Sequence, residues 1–163
     1  MSRSIYQEIL KDVTIRRLNA NEAIPYSLLL LADPSMSAIE RYIDLAEIHI
    51  AVLKAKVIAS IVLYPLGDEA YEIKNIAVAE RFQGKGIGKL LLNAATNLAI
   101  LNNAGSLAIG TSNASVAQLY LYQKSGFEIT GIKFNFFLDN YREPIFENGI
   151  QCKHMIFLEK KLR

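Results

Sequence analysis

The chain has 163 residues, 52% of them hydrophobic and 21% charged, and these values predict one ordinary globular domain rather than a disordered chain. The formal net charge of +2 is too small to predict nucleic-acid binding, and the single cysteine, Cys152, excludes an internal disulfide and fits a reducing compartment. No apolar run approaches the length of a membrane span and no secretory signal is visible. We therefore expect a cytoplasmic protein with no nucleic-acid or membrane partner.

The first elements in the chain are predicted to be one strand and two helices. Residues 1–12 are interpreted as a lead-in to a single domain over residues 13–163, which begins with a strand at residues 13–17. Asn21 can cap a helix that ends at Asp33, before a proline.

A second helix is predicted from a capping box. Ser37 and Glu40 have the required spacing, and Ile39, Ile43 and Ala46 then recur at helical intervals. The hydrophobic period changes after this helix. Three β-rich segments joined by short turns then predict an antiparallel meander over residues 49–53, 57–63 and 71–78.

The second half of the chain is predicted to alternate between helices and strands. After a glycine-rich turn, leucines and alanines mark a long amphipathic helix that ends near Gly105. The remaining predicted elements are a strand at 106–111, a helix at 115–124 with Gly126 in its C′ position, and strands at 127–138 and 153–158 separated by a polar loop at 139–151.

The glycine-rich turn, residues 81–88, is the first motif with chemical meaning. It connects the 71–78 strand to the long helix, and glycines at 84, 86 and 88 allow the backbone to approach a diphosphate closely. We call these residues the glycine loop. A Walker P-loop is excluded, because no lysine followed by Ser or Thr comes after the last glycine. A dinucleotide-binding fingerprint is excluded too, because the glycines follow a G-x-G-x-G pattern instead of G-x-G-x-x-G and no acidic residue lies about twenty positions downstream. A turn that merely joins strand and helix is the remaining structural alternative.

The charge around the glycine loop favours an anion site. Residues 81–127 carry Arg81, Lys85, Lys89 and Lys124 and no carboxylate. A multiply phosphorylated ligand requires such a field, whereas a solvated helix face normally mixes both signs.

A second motif follows the 106–111 strand. It consists of Asn113 and Ser115, then Tyr122, and then Gly126 with Phe127. Each residue also has an ordinary structural interpretation, as a helix cap, a core tyrosine or a C-capping glycine. Two motifs in this order are more specific than either one alone.

Together the two motifs resemble those of the GNAT superfamily, the acetyl-CoA-dependent N-acetyltransferases. Arg81, Gly84 and Gly86 fit its R/Q-x-x-G-x-G/A pyrophosphate loop, and the Asn113–Phe127 segment is similar to its N…LY-x-K-x-GF signature. The similarity is strongest to a small bacterial subgroup named IAA acetyltransferase-like. It implies an α/β (α+β) GNAT fold: a mixed, mostly antiparallel sheet of about seven strands, splayed between strands 4 and 5 and flanked by about four helices.

The resemblance implies acetyl-CoA as cosubstrate and assigns the residues that bind it. The family aligns pantetheine with the strand before the loop, so the Ile76 N–H would bond the acetyl oxygen and Val78 would pair with pantetheine. The other implied cofactor-binding residues are Arg81, Gln83, Gly84, Lys85, Gly86, Ile87, Gly88, Lys89, and either Asn113 or Ser115, since the family spacing from Tyr122 points to the latter.

Two catalytic residues are implied in the same way. Glu72 is the candidate base, although a strand carboxylate with a structural role, or an ordered water acting as base, remains an alternative. Tyr122 is the candidate acid for the leaving thiolate, with Tyr120 as the alternative. His49 and His154 lie in separate strands without a ligand cluster, so we predict no metal site.

The acceptor is expected to be a small amine. The two N-terminal helices and the 139–151 loop would set specificity, with Asp139, Glu143 and Glu147 attracting a cationic amine and aromatic residues walling its pocket. A protein or peptide acceptor and a non-catalytic acyl-CoA-binding module are the alternatives. The resemblance also allows a homodimer.

Overall fold

A computed structural model describes residues 3–163 of the chain. Its α-helices are α1 (Arg3–Lys11), α2 (Tyr26–Ala32), α3 (Met36–Ile43), α4 (Ile87–Leu101), α5 (Val116–Lys124) and α6 (Phe136–Asn140). Its strands are β1 (Thr14–Arg17), β2 (Glu47–Leu53), β3 (Lys56–Pro65), β4 (Ala70–Val78), β5 (Ser106–Ser112), β6 (Glu128–Lys133), β7 (Phe146–Glu147), β8 (Ile150–Gln151) and β9 (Met155–Lys161). No described helix has both the length and the apolar character needed to cross a membrane.

Seven of the strands form one mixed sheet, which confirms the predicted fold class. Their order is β1-β2-β3-β4-β5-β9-β6. The pairs β1–β2, β2–β3, β5–β9 and β6–β9 are antiparallel, and β4 and β5 are parallel. The remaining strands, β7 and β8, form a separate hairpin.

The chain divides into two compact units. The first contains the described residues up to Pro65 together with Ile73–Leu98, and the second contains Leu66–Glu72 and Ala99–Arg163. In the first unit, α2 and α3 pack against β2 and β3 through a fully buried apolar cluster that includes Leu29, Ile39 and Ile50. Burial of this cluster stabilises the unit, since each such side chain contributes about 1.5–3 kcal/mol.

In the first unit, α2 begins later than predicted and α3 begins earlier. α2 starts at Tyr26 with Pro25 as its N-cap, so the predicted cap at Asn21 is wrong. The segment before it is held instead by Glu22, whose carboxylate accepts hydrogen bonds from the Arg16 guanidinium at 2.7 Å. α3 is capped by Ser35, which accepts from the Ala38 N–H, and not by the predicted Ser37.

In the second unit, α5 ends as predicted. Gly126 has φ +90°, and its N–H bonds the Gln123 carbonyl while the Phe127 N–H bonds the Tyr122 carbonyl. These two bonds define a Schellman motif, which confirms Gly126 as the C′ residue. Phe127 is thereby turned into the core.

The segment after α5 departs from the prediction. The strand predicted at 127–138 ends at Lys133, because Asn135 adopts a left-handed conformation with φ 59° and starts α6. The predicted loop at 139–151 contains the β7–β8 hairpin. The lead-in contains α1, so the described residues hold six α-helices, where about four were expected.

Candidate active site

The glycine loop connects β4 to α4 through backbone conformations that favour glycine. A 3₁₀ turn at Glu80–Phe82 follows β4, and Gly84 and Gly86 then have φ values of +71° and +89°. A Cβ at Gly86 would lie 3.2 Å from Leu10 Cδ1 of α1, whereas a Cβ at Gly84 would meet open space. The loop can therefore bring its backbone close to a ligand at Gly84.

The loop delivers its amides to the start of α4. The helix begins at Ile87, and the Leu90 N–H bonds the Gly86 carbonyl. The first N–H groups of an α-helix have no partner within the helix and carry its positive dipole. Ile87 is buried and fixes this end of the helix, so the amides of residues 86–89 are aimed by the core packing beneath them.

Cationic side chains surround the same loop. The Arg81 guanidinium and the Lys85 ammonium both lie over the Phe82 ring, 4.7 and 5.4 Å from its centroid. Lys85 also donates to the Arg81 carbonyl, and Lys89 is exposed on the first turn of α4. The ring and the carbonyl hold two positive charges beside amides that can bind an anion.

The strand before the loop presents two different faces. Ile73, Asn75 and Ala77 are buried, while the alternate residues Ile76 and Val78 are half-buried. The Val78 carbonyl accepts a hydrogen bond of 2.9 Å from the Gln83 side-chain amide. A ligand that pairs with this carbonyl would share it with Gln83 or displace the Gln83 side chain. Glu72, the predicted base, lies earlier on β4 and is half-buried.

Asn75 is a polar residue that sequence reasoning missed. Its amide donates to the Leu29 carbonyl at 3.0 Å and to the Tyr42 hydroxyl at 3.2 Å, yet its buried Oδ1 has no hydrogen-bond partner among the described residues. Burial raises the pKa of Tyr42 to about 12, so this hydroxyl is neutral. A buried acceptor of this kind fits a donor supplied by a water or a ligand. The available signal was an amide within an otherwise apolar face of β4.

In the second unit, both polar atoms of the Asn113 side chain bond the chain itself. Its Oδ1 accepts from the Lys153 and His154 N–H groups at 2.8 and 2.9 Å, and its Nδ2 donates to the Gln151 carbonyl at 3.1 Å. Its own N–H bonds the His154 carbonyl. The side chain therefore anchors the segment between β8 and β9 to the end of β5.

Ser115 belongs to a buried polar cluster, which we define as Ser112, Asn113, Ser115, Glu147 and Cys152. The Ser115 hydroxyl donates to Glu147 Oε2 at 2.6 Å and lies 3.0 Å from the Ser112 hydroxyl, which donates to Cys152 Sγ at 3.2 Å. Burial raises the pKa of the Cys152 thiol, and nearby Glu147 raises it further, against the opposing effect of the Ser112 hydrogen bond.

The two candidate tyrosines have opposite environments. Tyr122 is only 4% exposed and packs near Phe127, with ring centroids 6.3 Å apart. Burial, and secondarily the charge of Glu147, raises the pKa of Tyr122 well above its usual value. Tyr120 is 65% exposed, and the Lys124 ammonium lies over its ring. Tyr122 is therefore neutral, with its hydroxyl in the electrostatic range of Glu147.

Sequence reasoning missed the role of the β7–β8 hairpin in this region. Asn148 and Gly149 have φ values of 53° and 73°, as in a two-residue type I′ turn. The Asn148 side chain also donates to the Ala114 carbonyl at the start of α5. The Asn-Gly pair was a usable signal, but the hydrogen bond from Ser115 to Glu147 spans 32 residues and leaves no local pattern.

The two histidines take structural positions. His154 Nδ1 accepts a hydrogen bond from the Asn135 N–H, and His49 is buried beside Glu47, with its pKa lowered by burial. Within residues 3–163, no group of three or more His, Cys, Asp or Glu side chains is placed to hold a metal ion.

Comparison with known proteins decides the family. Residues 44–129 match the profile of the acetyltransferase (GNAT) domain. The chain is 45% identical over 133 residues to the uncharacterized N-acetyltransferase YvbK of Bacillus subtilis, covering 82% of this chain and 86% of that protein. The chain belongs to the GNAT acetyltransferase family.

Solved GNAT structures agree with the fold and identify the cosubstrate. A GNAT family acetyltransferase from Elizabethkingia anophelis, crystallised with acetyl-CoA, has a TM-score of 0.91 and 51% identity, covering 93% of this chain and 99% of that one. The IAA acetyltransferase from Bacillus cereus has a TM-score of 0.88 and 48% identity over 92% and 99% of the two chains. This GNAT protein is thus an acetyl-CoA-dependent N-acetyltransferase, and the resemblance inferred from the two motifs is confirmed.

Proposed function

We propose that the protein transfers the acetyl group of acetyl-CoA to the primary amine of a small molecule by direct attack. The observation that carries this proposal is the glycine loop, which leads into the first turn of α4 and carries two cations held over Phe82. Backbone amides, a helix dipole and fixed positive charge together suit a pyrophosphate. The family supplies the identity of the phosphorylated molecule.

We assign binding of the cosubstrate to the glycine loop and the end of β4. The amides of residues 84–89 would bind the pyrophosphate, with Arg81, Lys85 and Lys89 adding charge, since the Gln83 N–H already bonds the Glu80 carbonyl. The backbone of β4 would pair with pantetheine at Val78, whose carbonyl also accepts a hydrogen bond from the Gln83 side chain. The Ile76 N–H would bond the acetyl oxygen, and one preorganised donor of this kind is worth roughly 3–4 kcal/mol in the transition state.

Proton transfer is assigned to Glu72 and Tyr122. A free amine has a pKa near 10.4, so its ammonium must lose a proton before it attacks, and Glu72 would accept that proton directly or through water. The amine nitrogen then bonds the acetyl carbon, and the carbon–sulfur bond breaks. Tyr122, kept neutral by its raised pKa, would donate a hydrogen bond or a proton to the leaving sulfur.

We assign binding of the acceptor amine to two groups of residues. Asp139 and Glu143 are exposed and would attract a cationic amine, whereas Glu147 is already bonded to Ser115. The unpartnered Oδ1 of Asn75 is a candidate acceptor for an amine N–H. Glu143→Gln is expected to raise the KM for the amine a few-fold with the KM for acetyl-CoA unchanged, and Asp68→Asn, an exposed carboxylate on the β3–β4 turn, is the matched control.

The test of the reaction is thiol release from acetyl-CoA across a panel of polyamines, aminoglycosides, amino acids, aromatic amines and lysine peptides. Release with one class of small amine is expected, reduced at least tenfold in kcat by Glu72→Gln or Tyr122→Phe. Turnover with peptides alone would replace the small-molecule acceptor by a protein acceptor. Binding of acetyl-CoA without release for any amine would favour a non-catalytic acyl-CoA module instead.

Two further features of the protein are proposed. The cytoplasm is the proposed compartment, since a single buried cysteine fits a reducing environment. A homodimer is the proposed assembly. Sedimentation over a range of protein concentrations tests it independently of the acetyl-transfer reaction.

A further inference from the structure

Phe82 is an aromatic residue of the glycine loop with no part in the acetyl-transfer steps described above. It ends the 3₁₀ turn after β4, where its N–H bonds the Ala79 carbonyl at 2.7 Å, and its ring is half-buried. The Arg81 guanidinium and the Lys85 ammonium both lie over this ring, within the roughly 6 Å at which an aromatic face attracts a cation. One ring therefore contacts two of the cations that the loop presents to an anion.

Among the described residues, no carboxylate pairs with either of these cations. Glu80, the neighbouring acidic residue, is exposed and forms no ion pair with Arg81 or Lys85. The partner that Lys85 does have, the Arg81 carbonyl, is neutral. Two like charges held near each other without a counter-ion repel each other, and a doubly charged anion such as a diphosphate removes that repulsion.

The ring holds the cations without taking up their hydrogen-bond donors. A carboxylate partner accepts two guanidinium N–H groups in a bidentate pair. An aromatic ring attracts the guanidinium through its face and forms no such pair, so most of the five N–H donors of Arg81 remain for phosphate oxygens. The Lys85 ammonium has three donors, and the Arg81 carbonyl accepts one of them. The contact with Phe82 thus restricts the positions of both charges and leaves donors for a ligand.

Restricting these two side chains before the ligand arrives favours binding. Long Arg and Lys side chains lose rotamer freedom when they bind a phosphate, and a contact that already exists in the free protein reduces that loss. The glycines at 84 and 86 have no side chains that could hold a neighbouring cation, whereas the ring of Phe82 contacts both.

We infer that Phe82 is a positioning residue for the cosubstrate, whose ring holds Arg81 and Lys85 where they bind the pyrophosphate of acetyl-CoA. The inference rests on the proposed placement of the pyrophosphate at the glycine loop. It adds a residue that makes no contact with the phosphates and acts through the two cations.

The first test is calorimetric titration with CoA, which carries the phosphates of acetyl-CoA and has no acetyl group to transfer. Phe82→Leu is expected to raise the dissociation constant about tenfold, because leucine keeps an apolar side chain and removes the aromatic face. Phe82→Tyr keeps the ring and is expected to bind within about twofold of the wild type. Phe136→Leu is the matched control, since it removes a half-buried ring outside the loop over which Lys133 lies at 5.4 Å.

The second test is a coupling cycle with the two cations. Replacing both, by Arg81→Gln with Lys85→Gln, is expected to raise the dissociation constant for CoA at least about tenfold. Adding Phe82→Leu to that protein is expected to raise it by less than about twofold more, because the ring then has no cation to hold. A residue that merely stabilises the loop would give the same factor with and without the cations. Thermal unfolding of each variant checks that it is folded at the titration temperature.

The outcomes separate this inference from the proposed function. Wild-type affinity in Phe82→Leu would overturn the inference alone, as would equal losses in Phe82→Leu and Phe82→Tyr. A full loss from Phe82→Leu in the protein without the two cations would do the same. If the protein without the two cations binds CoA like the wild type, the pyrophosphate is not held by Arg81 and Lys85, and that assignment in the proposed function is wrong together with the inference.

Discussion

The glycine loop and the polar cluster around Ser115 both contain residues predicted to bind acetyl-CoA, and their polar groups are used in opposite ways. In the glycine loop, the amides at the start of α4 have no partner within the helix, and the adjacent cations are held over a ring rather than by carboxylates. In the polar cluster, Asn113 and Ser115 already bond the 146–154 segment. The first region is preorganised for a ligand, whereas the second is preorganised by the chain.

The difference separates two kinds of polar residue that look alike in a sequence motif. A backbone amide at a helix start has no partner within the helix and is available unless a side chain caps it, as Ser35 caps α3. A side-chain amide or hydroxyl is available only if no distant segment bonds it first. The comparison therefore predicts that substitutions in the glycine loop affect ligand binding, while substitutions in the polar cluster affect stability first.

The largest effect on ligand binding is expected for Gly86→Val. A β-branched residue is strongly disfavoured at φ +89°, and its Cβ would also crowd Leu10. The dissociation constant for acetyl-CoA is expected to rise at least about a hundredfold, which corresponds to about 3 kcal/mol. Calorimetric titration measures it. Gly67→Val, with φ +79° on the β3–β4 turn, imposes similar backbone strain outside the loop and should leave binding unchanged.

Asn113→Ala is expected to have the largest effect on stability. The substitution leaves two N–H groups and one carbonyl of the 151–154 segment without their partner. At about 1 kcal/mol for each partly exposed group, the loss is about 2–3 kcal/mol, or roughly 5–10 °C in Tm. Differential scanning calorimetry measures this change, with Asn93→Ala on the exposed side of α4 as control. A large loss of acetyl-CoA affinity at unchanged Tm would instead support a direct cofactor contact.

A smaller effect is expected for Glu147→Gln, which weakens the charge-assisted bond from Ser115. Opening of the hairpin should become easier by about 1 kcal/mol, so a maleimide should modify Cys152 roughly fivefold faster. Cys152 is 1% exposed and is the only cysteine in the chain, so the rate reports this site alone. Glu143→Gln should leave the rate unchanged, and equal rates in all three proteins would contradict a role for Glu147 in closing the cluster.

The smallest effect concerns alkaline pH. The folded-state pKa of Cys152 is raised above its ordinary value of 9.0, chiefly by burial. The folded protein therefore holds this proton more tightly than the unfolded chain, and the resulting stability is complete below pH 9 and decreases as the pH rises above it. Tm measured between pH 8 and pH 10.5 should fall less steeply for Cys152→Ala than for the wild type. Parallel curves would show that the thiol does not contribute.

Much of the fold was predictable because its signals are local. The β-rich segments that form β1 to β4, the glycine loop and the Schellman turn at Gly126 each depend on neighbouring residues and backbone geometry. Seven strands in one mixed sheet followed from these signals together with the family resemblance. The glycine loop lies where it was predicted, between β4 and α4, although the ligand contacts assigned to it remain predictions.

The parts that could not be predicted depend on contacts between distant residues or on a single backbone angle. Glu147 was predicted to attract a cationic amine, since nothing near it in sequence indicates Ser115 as its partner. The end of β6 depends on one left-handed asparagine, Asn135, which interrupts an otherwise apolar segment. Tyr122 lies on the buried face of α5 and Tyr120 on its exposed face. The sequence indicated where this helix begins and ends, and not which of its faces is buried.

The contact between Leu10 of α1 and the glycine loop has a practical consequence for handling this protein. An N-terminal truncation or fusion chosen on the assumption that the first twelve residues are dispensable would disturb the side chain that lies against Gly86. A purification tag is therefore better placed on the C-terminal side of β9 than before α1. Activity measured on a chain without residues 3–11 would report a different loop from that of a chain that retains α1.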